Sequence, residues 1–172
     1  GENMAGVNSA TLITKISEKI TLNGNKYDNV VEKRISGISD IFKRIVSIDA
    51  DDDATIAVFK STVSIAGGTA DTGGDGALKK SSVKYIRITN LDDTNSVNIS
   101  LQLDSDEDNS AADLSVTHLL EAGKSFIMGA ADEAIHADDD AGAIVTALTD
   151  LESIIADPGS NAGTVEIFIA SS

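Results

Sequence analysis

The stretch Ser96-Val97-Asn98-Ile99-Ser100-Leu101-Gln102-Leu103 alternates strictly between polar and apolar residues. Val97, Ile99, Leu101 and Leu103 fall on one face, and Ser96, Asn98, Ser100 and Gln102 on the other. That is the period of a strand with one side in a core and one in water. Residues 83–91 just upstream are rich in β-branched side chains. The polar tetrad Asp92-Asp93-Thr94-Asn95 separates the two runs, so the pair is predicted to form a hairpin.

The same period recurs on both sides. Residues 153–156 lead into Asp157-Pro158-Gly159-Ser160-Asn161-Ala162-Gly163 and return over 164–170, where Val165, Ile167 and Ile169 share a face; a second hairpin is predicted there. Near the start, Ile16, Ile20 and Leu22 share one face of a strand that ends at Asn23-Gly24, a strong turn dipeptide, and residues 30–35 return from it. Further strands are expected at 54–59, 62–66, 114–120 and 125–128. Two segments fit helix and strand equally: Ile38, Ile41, Phe42, Ile45 and Ile48, and Ile144, Leu148 and Leu151 behind Asp138-Asp139-Asp140. The expected fold is therefore all-β, an antiparallel β-sandwich or jelly-roll-like domain with room for one short helix. Residues 1–10 read as an N-terminal arm and 11–172 as a single sandwich domain, interrupted by a Gly-rich loop at 67–76.

Composition narrows the function classes. The 172 residues carry a net charge of -15. From residue 88 onward seventeen acids face one base, Lys124, while residues 1–87 are close to neutral. Such a surface repels nucleic acid and anionic membranes, so neither is expected as a partner. Only six aromatic rings are present and no Trp, which weakens sugar, base and quaternary-amine binding. With no cysteine, disulfides and thiolate metal sites are excluded.

Candidate chemistry is sparse. Asp104-Ser105-Asp106-Glu107-Asp108-Asn109 places Asp104, Asp106 and Asp108 at positions 1, 3 and 5 of a calcium loop. Asn109 then stands where the loop needs Gly, and Ser115 where it needs the bidentate Glu, so an EF-hand is not expected. A calcium site helped by another loop stays open beside the plainer reading of a solvated loop tip. His118 lies on the apolar face of its run and is expected to be partly buried or at an interface. His136 beside Asp138 is a candidate His–carboxylate pair, but no nucleophile motif accompanies it. The glycines at 67–76 lack the Gly-Lys-Ser/Thr of a phosphate loop. Lys79, Lys80, Lys84 and Arg87 form a local basic excess, expected to pair with the acidic half or with a neighbouring subunit.

The strings Val83-Lys84-Tyr85-Ile86-Arg87-Ile88-Thr89-Asn90-Leu91-Asp92, Leu120-Glu121-Ala122-Gly123-Lys124-Ser125-Phe126-Ile127 and Val165-Glu166-Ile167-Phe168-Ile169-Ala170-Ser171 resemble small structural proteins of tailed bacteriophages. The resemblance spans roughly residues 80–172 and rests on strand and turn patterns. It implies a non-enzymatic virion subunit, foremost a capsid decoration (cement) protein, otherwise a neck or tail component. No catalytic residue and no cofactor is implied. Its partners would be other virion proteins or copies of itself, engaged through strand edges and the N-terminal arm. The alternative is a calcium-stabilised extracellular filament or surface-layer subunit.

Overall fold

Period-two alternation becomes two facing sheets. The structure is a computed structural model and describes residues 9–61, 76–103, 114–129 and 150–172. In chain order its strands are β1 (Ala10–Glu18), β2 (Thr21–Leu22), β3 (Asn25–Lys26), β4 (Asn29–Ile38), β5 (Asp40–Ile48), β6 (Ala54–Lys60), β7 (Leu78–Lys79), β8 (Val83–Asn90), β9 (Val97–Leu103), β10 (Leu114–Leu120), β11 (Ser125–Gly129), β12 (Leu151–Asp157) and β13 (Gly163–Ser171). One sheet runs β10-β9-β12-β6-β7 and the other β11-β8-β13-β5. Neighbours are antiparallel except β6 and β7. Setting aside the two-residue β7, the sandwich strands β5, β6 and β8 to β13 take the orders 1-8-3-6 and 2-7-4-5. That is the connectivity of a jelly roll, one of the two expected forms of the sandwich.

The core lies between the sheets. Val97, Ile99, Leu101 and Leu103 of β9, with Leu151 and Ile154 of β12, meet Ile86 and Ile88 of β8 and Val165, Ile167 and Ile169 of β13. All are buried. Truncating one of these Ile or Leu side chains to Ala costs about 2–5 kcal/mol, the lost transfer energy plus a cavity. The outer face of β9 is polar as its sequence requires, with Ser100 bonded to Thr117 and Gln102 to Ser100 and Ser115.

Several expectations change. β8 and β9 do not form a hairpin: they belong to opposite sheets, and residues 91–96 arch across the sandwich. The predicted pair closing the chain, β12 and β13, is likewise an arch. The physical reason is common to both. Each strand has one apolar face, and two such faces can be buried by facing each other as well as by lying side by side. The segment 38–48 is not helical: Ile38 ends β4, and residues 40–48 are strand β5, paired with β13 along its whole length. Leu151 opens β12, and the only helical element among the described residues is a 3-10 turn at Lys80–Ser82. His118 is exposed, its ring stacked on Phe126 at 4.8 Å, and is not partly buried. The strand expected at 62–66, most of the Gly-rich loop, the helix segment at 144–148 and His136 lie outside the described residues.

Candidate assembly surface

The hairpin read from Asn23-Gly24 is present, and it stands apart from the sandwich. β1 pairs with β4 with Ile16 opposite Val31 and Glu18 opposite Asn29, and the same register continues through β2 and β3 with Leu22 opposite Asn25. Between them the Tyr27 amide donates to the Ile20 carbonyl at 2.8 Å. The result is one ribbon closed by a two-residue turn. Asn23 has φ 51° and Gly24 φ 80°, the paired positive values that a type I′ turn needs and that Asn-Gly supplies at least cost. At about 3.3 Å per residue the ribbon from Leu12 to Leu22 is roughly 33 Å long.

Directly opposed residues share a face. One face therefore carries Leu12 and Ile35, Ile16 and Val31, Ile20 and Tyr27, then Leu22, with the pairs Thr14–Lys33 and Glu18–Asn29 between them. The other is dominated by charge, with Lys15, Lys19, Lys26, Asp28, Glu32 and Arg34 around Ile13 and Val30. Only the root of the apolar face is covered: Ile35 and Ile38 are buried against Tyr85 and Ala170 on the outer face of the β11-β8-β13-β5 sheet, with Leu12 and Phe168 packed beside them. Every residue from Lys15 to Arg34 is exposed. The apolar side chains of the distal arm are thus open to water, whereas the inward rows of the sandwich strands pack into the core.

Around the root, the arm and the sheet enclose a cleft of about 400 Å³. Leu12, Ile16 and Ile35 form its arm side, and Tyr85, Phe168 and Ile127 its sheet side, with Lys15, Lys33 and Arg87 at the rim. Gly129 sits under this wall; a Cβ there would come within 2.9 Å of the Tyr85 ring. Burial beneath the arm raises the Tyr85 phenol above its ordinary pKa, and the Arg87 charge opposes part of that. Arg87 donates to Glu166 at 2.7 Å and lies over the Phe168 ring at 5.7 Å, and Lys43 reaches Glu166 at 3.3 Å. The Arg87 hydrogen bond is the main reason that the Glu166 carboxyl is held below the usual carboxylate range. This network stiffens the floor on which the arm rests.

Of the expected basic group, Arg87 does pair with the acidic half, and so does Lys80, whose buried ammonium donates to Glu152 at 2.7 Å.

The opposite end of the sandwich is built from four arches between sheets. Residues 49–53, 91–96, 121–124 and 158–162 meet there, tied by Asp51 N–H to the Gly159 carbonyl, Leu91 N–H to that of Thr164 and Asn90 N–H to that of Lys124. Asn90 is fully buried and donates to the carbonyls of Asn95 and Leu120 while accepting from the Asp92 amide. Asp92 accepts from the amides of Asn95 and Thr94, and these bonds hold its carboxyl low. This end carries Asp49, Asp51, Asp52, Asp53, Asp92, Asp93, Glu121 and Asp157 against Lys124. Among these acids Leu91 and Leu119 are exposed, and Leu119 lines an open notch of about 320 Å³ with Thr94, Ser96, Glu121 and Ala122.

The candidate calcium ligands Asp104, Asp106 and Asp108 lie outside the described residues. Among the described residues no group of three His, Asp or Glu side chains is placed to hold a metal ion. Sequence reasoning finds the apolar face of the first strand but not that the arm leaves the body. It misses Tyr27, Val31 and the loop-end leucines, whose only signal is apolar side chains beside turns.

No protein family and no curated protein matches the chain. Among solved structures, a chain described under "Bacillus endospore appendages form a novel family of disulfide-linked pili" is similar at 12% identity over 76% of this chain and 85% of that one, with a TM-score of 0.34. At that score the likeness carries no functional argument.

Proposed function

We propose that this protein is a non-catalytic structural subunit that assembles with copies of itself, using the β-arm as its connector. One observation carries the reading: an arm exposed from Lys15 to Arg34 whose one face presents Ile16, Val31, Ile20, Tyr27 and Leu22 to water. A two-stranded ribbon is marginal in water without further cover, and an exposed apolar strand surface is a template for association. Cover from another copy resolves both problems.

An extracellular filament or surface layer suits this connector better than capsid decoration. A decoration protein binds a lattice that other chains build, whereas an apolar arm repeated on every copy makes the copies bind one another. Light scattering of the purified chain over a concentration series tests the reading. The mass should rise with concentration, and Ile20→Ser with Leu22→Ser should suppress the rise while leaving the melting temperature in place. A wild-type chain that stays monomeric throughout would remove the proposal.

A further inference from the structure

The arm has an exposed apolar face, and the question is what covers it. We infer that the arm tip of one copy seats in the notch at the arched-loop end of the next copy, so that identical chains join head to tail. This rests on the arm being the connector and adds where the connector docks.

Charge complementarity selects the receiver. Residues 15–34 hold five bases and three acids, a net of +2 in a chain of net -15. At the tip, Ile20, Leu22 and Tyr27 lie on one face of the ribbon and Lys19 and Lys26 on the other, and among the described residues neither lysine makes an ion pair. The loop end presents the opposite pattern, eight carboxylates against Lys124 around the exposed side chains of Leu91 and Leu119, 46% and 64% accessible. A tip inserted at the loop end sets its apolar face against Leu91 and Leu119 and turns its lysine-bearing face toward the surrounding carboxylates. Arm-on-arm pairing brings +2 against +2. The outer face beside β5 exposes Ile41 and Ile45, but around Lys43 and with no cluster of acids to meet the basic tip. Among the described surfaces, the loop end satisfies both demands.

The placement of the two surfaces makes the joint propagate. The arm enters β5 at Asp40, opposite Ser171, while the notch lies where β13 begins at Gly163. The root of the connector and its receiver therefore occupy opposite ends of the sandwich. Since residues 15–34 are all exposed, the arm does not fill its own chain's notch. A contact between unlike surfaces at opposite ends is heterologous and gives an open chain of subunits.

Complementary variants test this. An arm variant (Ile20→Ser, Leu22→Ser) and a notch variant (Leu119→Lys, Glu121→Lys) should each lose self-assembly at concentrations where the wild type assembles. Mixed one to one they should form a dimer that grows no further, because one supplies the intact arm and the other the intact notch. Because the chain lacks cysteine, Leu22→Cys and Ala122→Cys copies, mixed and oxidised, should give the mixed disulfide dimer in preference to either homodimer. Self-assembly of the notch variant equal to wild type, or a dominant homodimer of the Leu22→Cys copy, overturns the docking site while the arm remains the connector. Unimpaired assembly of the arm variant overturns the connector as well. A wild-type association constant unchanged between low and high salt overturns the charge argument; a severalfold fall supports it.

Discussion

Replacing Ile20 and Leu22 by Ser tests the assembly reading most directly. The two side chains stand 56% and 57% accessible on the apolar face of the arm. Burying a whole Ile or Leu side chain is worth about 1.5–3 kcal/mol, so covering the half that remains open contributes roughly 1–1.5 kcal/mol per residue. The pair then supplies about 2–3 kcal/mol to each joint, and its loss weakens association roughly 30- to 150-fold. The concentration needed for a given degree of assembly rises by the same factor. Folding stability should move by no more than about 0.5 kcal/mol, because both side chains already face water. Sedimentation velocity across two decades of concentration reads the first quantity and a thermal melt the second. Unchanged association with an intact fold would refute the reasoning, since the most exposed part of the apolar face would then bury nothing.

Four further outcomes are expected. Asn90→Ala should cost about 1–3 kcal/mol in a denaturant melt, because the carbonyls of Asn95 and Leu120 and the Asp92 amide lose their partner in the interior. The folded pKa of Glu166 is depressed, so its contribution is present above the ordinary carboxylate value, near 4.5, and is lost as pH falls through the lower folded value. Acid melts should therefore show stability dropping below that range, and Glu166→Gln should remove part of the drop. Tyr85 should ionise above the ordinary phenol value of 10.0 by ultraviolet titration, and Leu12→Ala, which opens the arm root over it, should bring that titration down. If Asp104, Asp106 and Asp108 hold calcium, chelation removes about 2.7 kcal/mol at a hundredfold excess over Kd. The melt would then shift by about 5–10 °C, and a melt indifferent to chelator excludes the site.

The sequence reports faces far better than partners. The inward rows Val97–Leu103 and Val165–Ile169 are legible because burial on one side of a strand forces period two. Which strand lies beside which is not. The arch at 91–96 holds a clue: it has no Asn-Gly pair, and a six-residue connection fastened by Asn90 and Asp92 spans the gap between sheets instead of folding a strand back on its neighbour. Asn23-Gly24, by contrast, does fold its strand back, and that hairpin is correct.

The arm shows the same distinction with a functional consequence. Ile16, Ile20 and Leu22 follow the alternation of a half-buried strand, and the pattern is true to the extent that this face calls for cover. Periodicity records that demand without saying which molecule meets it. In β9 the cover is β8, β13 and the rest of the same chain. In the arm, cover from the described residues of its own chain stops at Leu12, Thr14 and Ile35, and beyond them the same chemical pattern runs on to Leu22 in water. A core face and an interface face are written alike in a sequence. Only the fold, by showing which apolar faces the described residues cover, shows where the second kind begins.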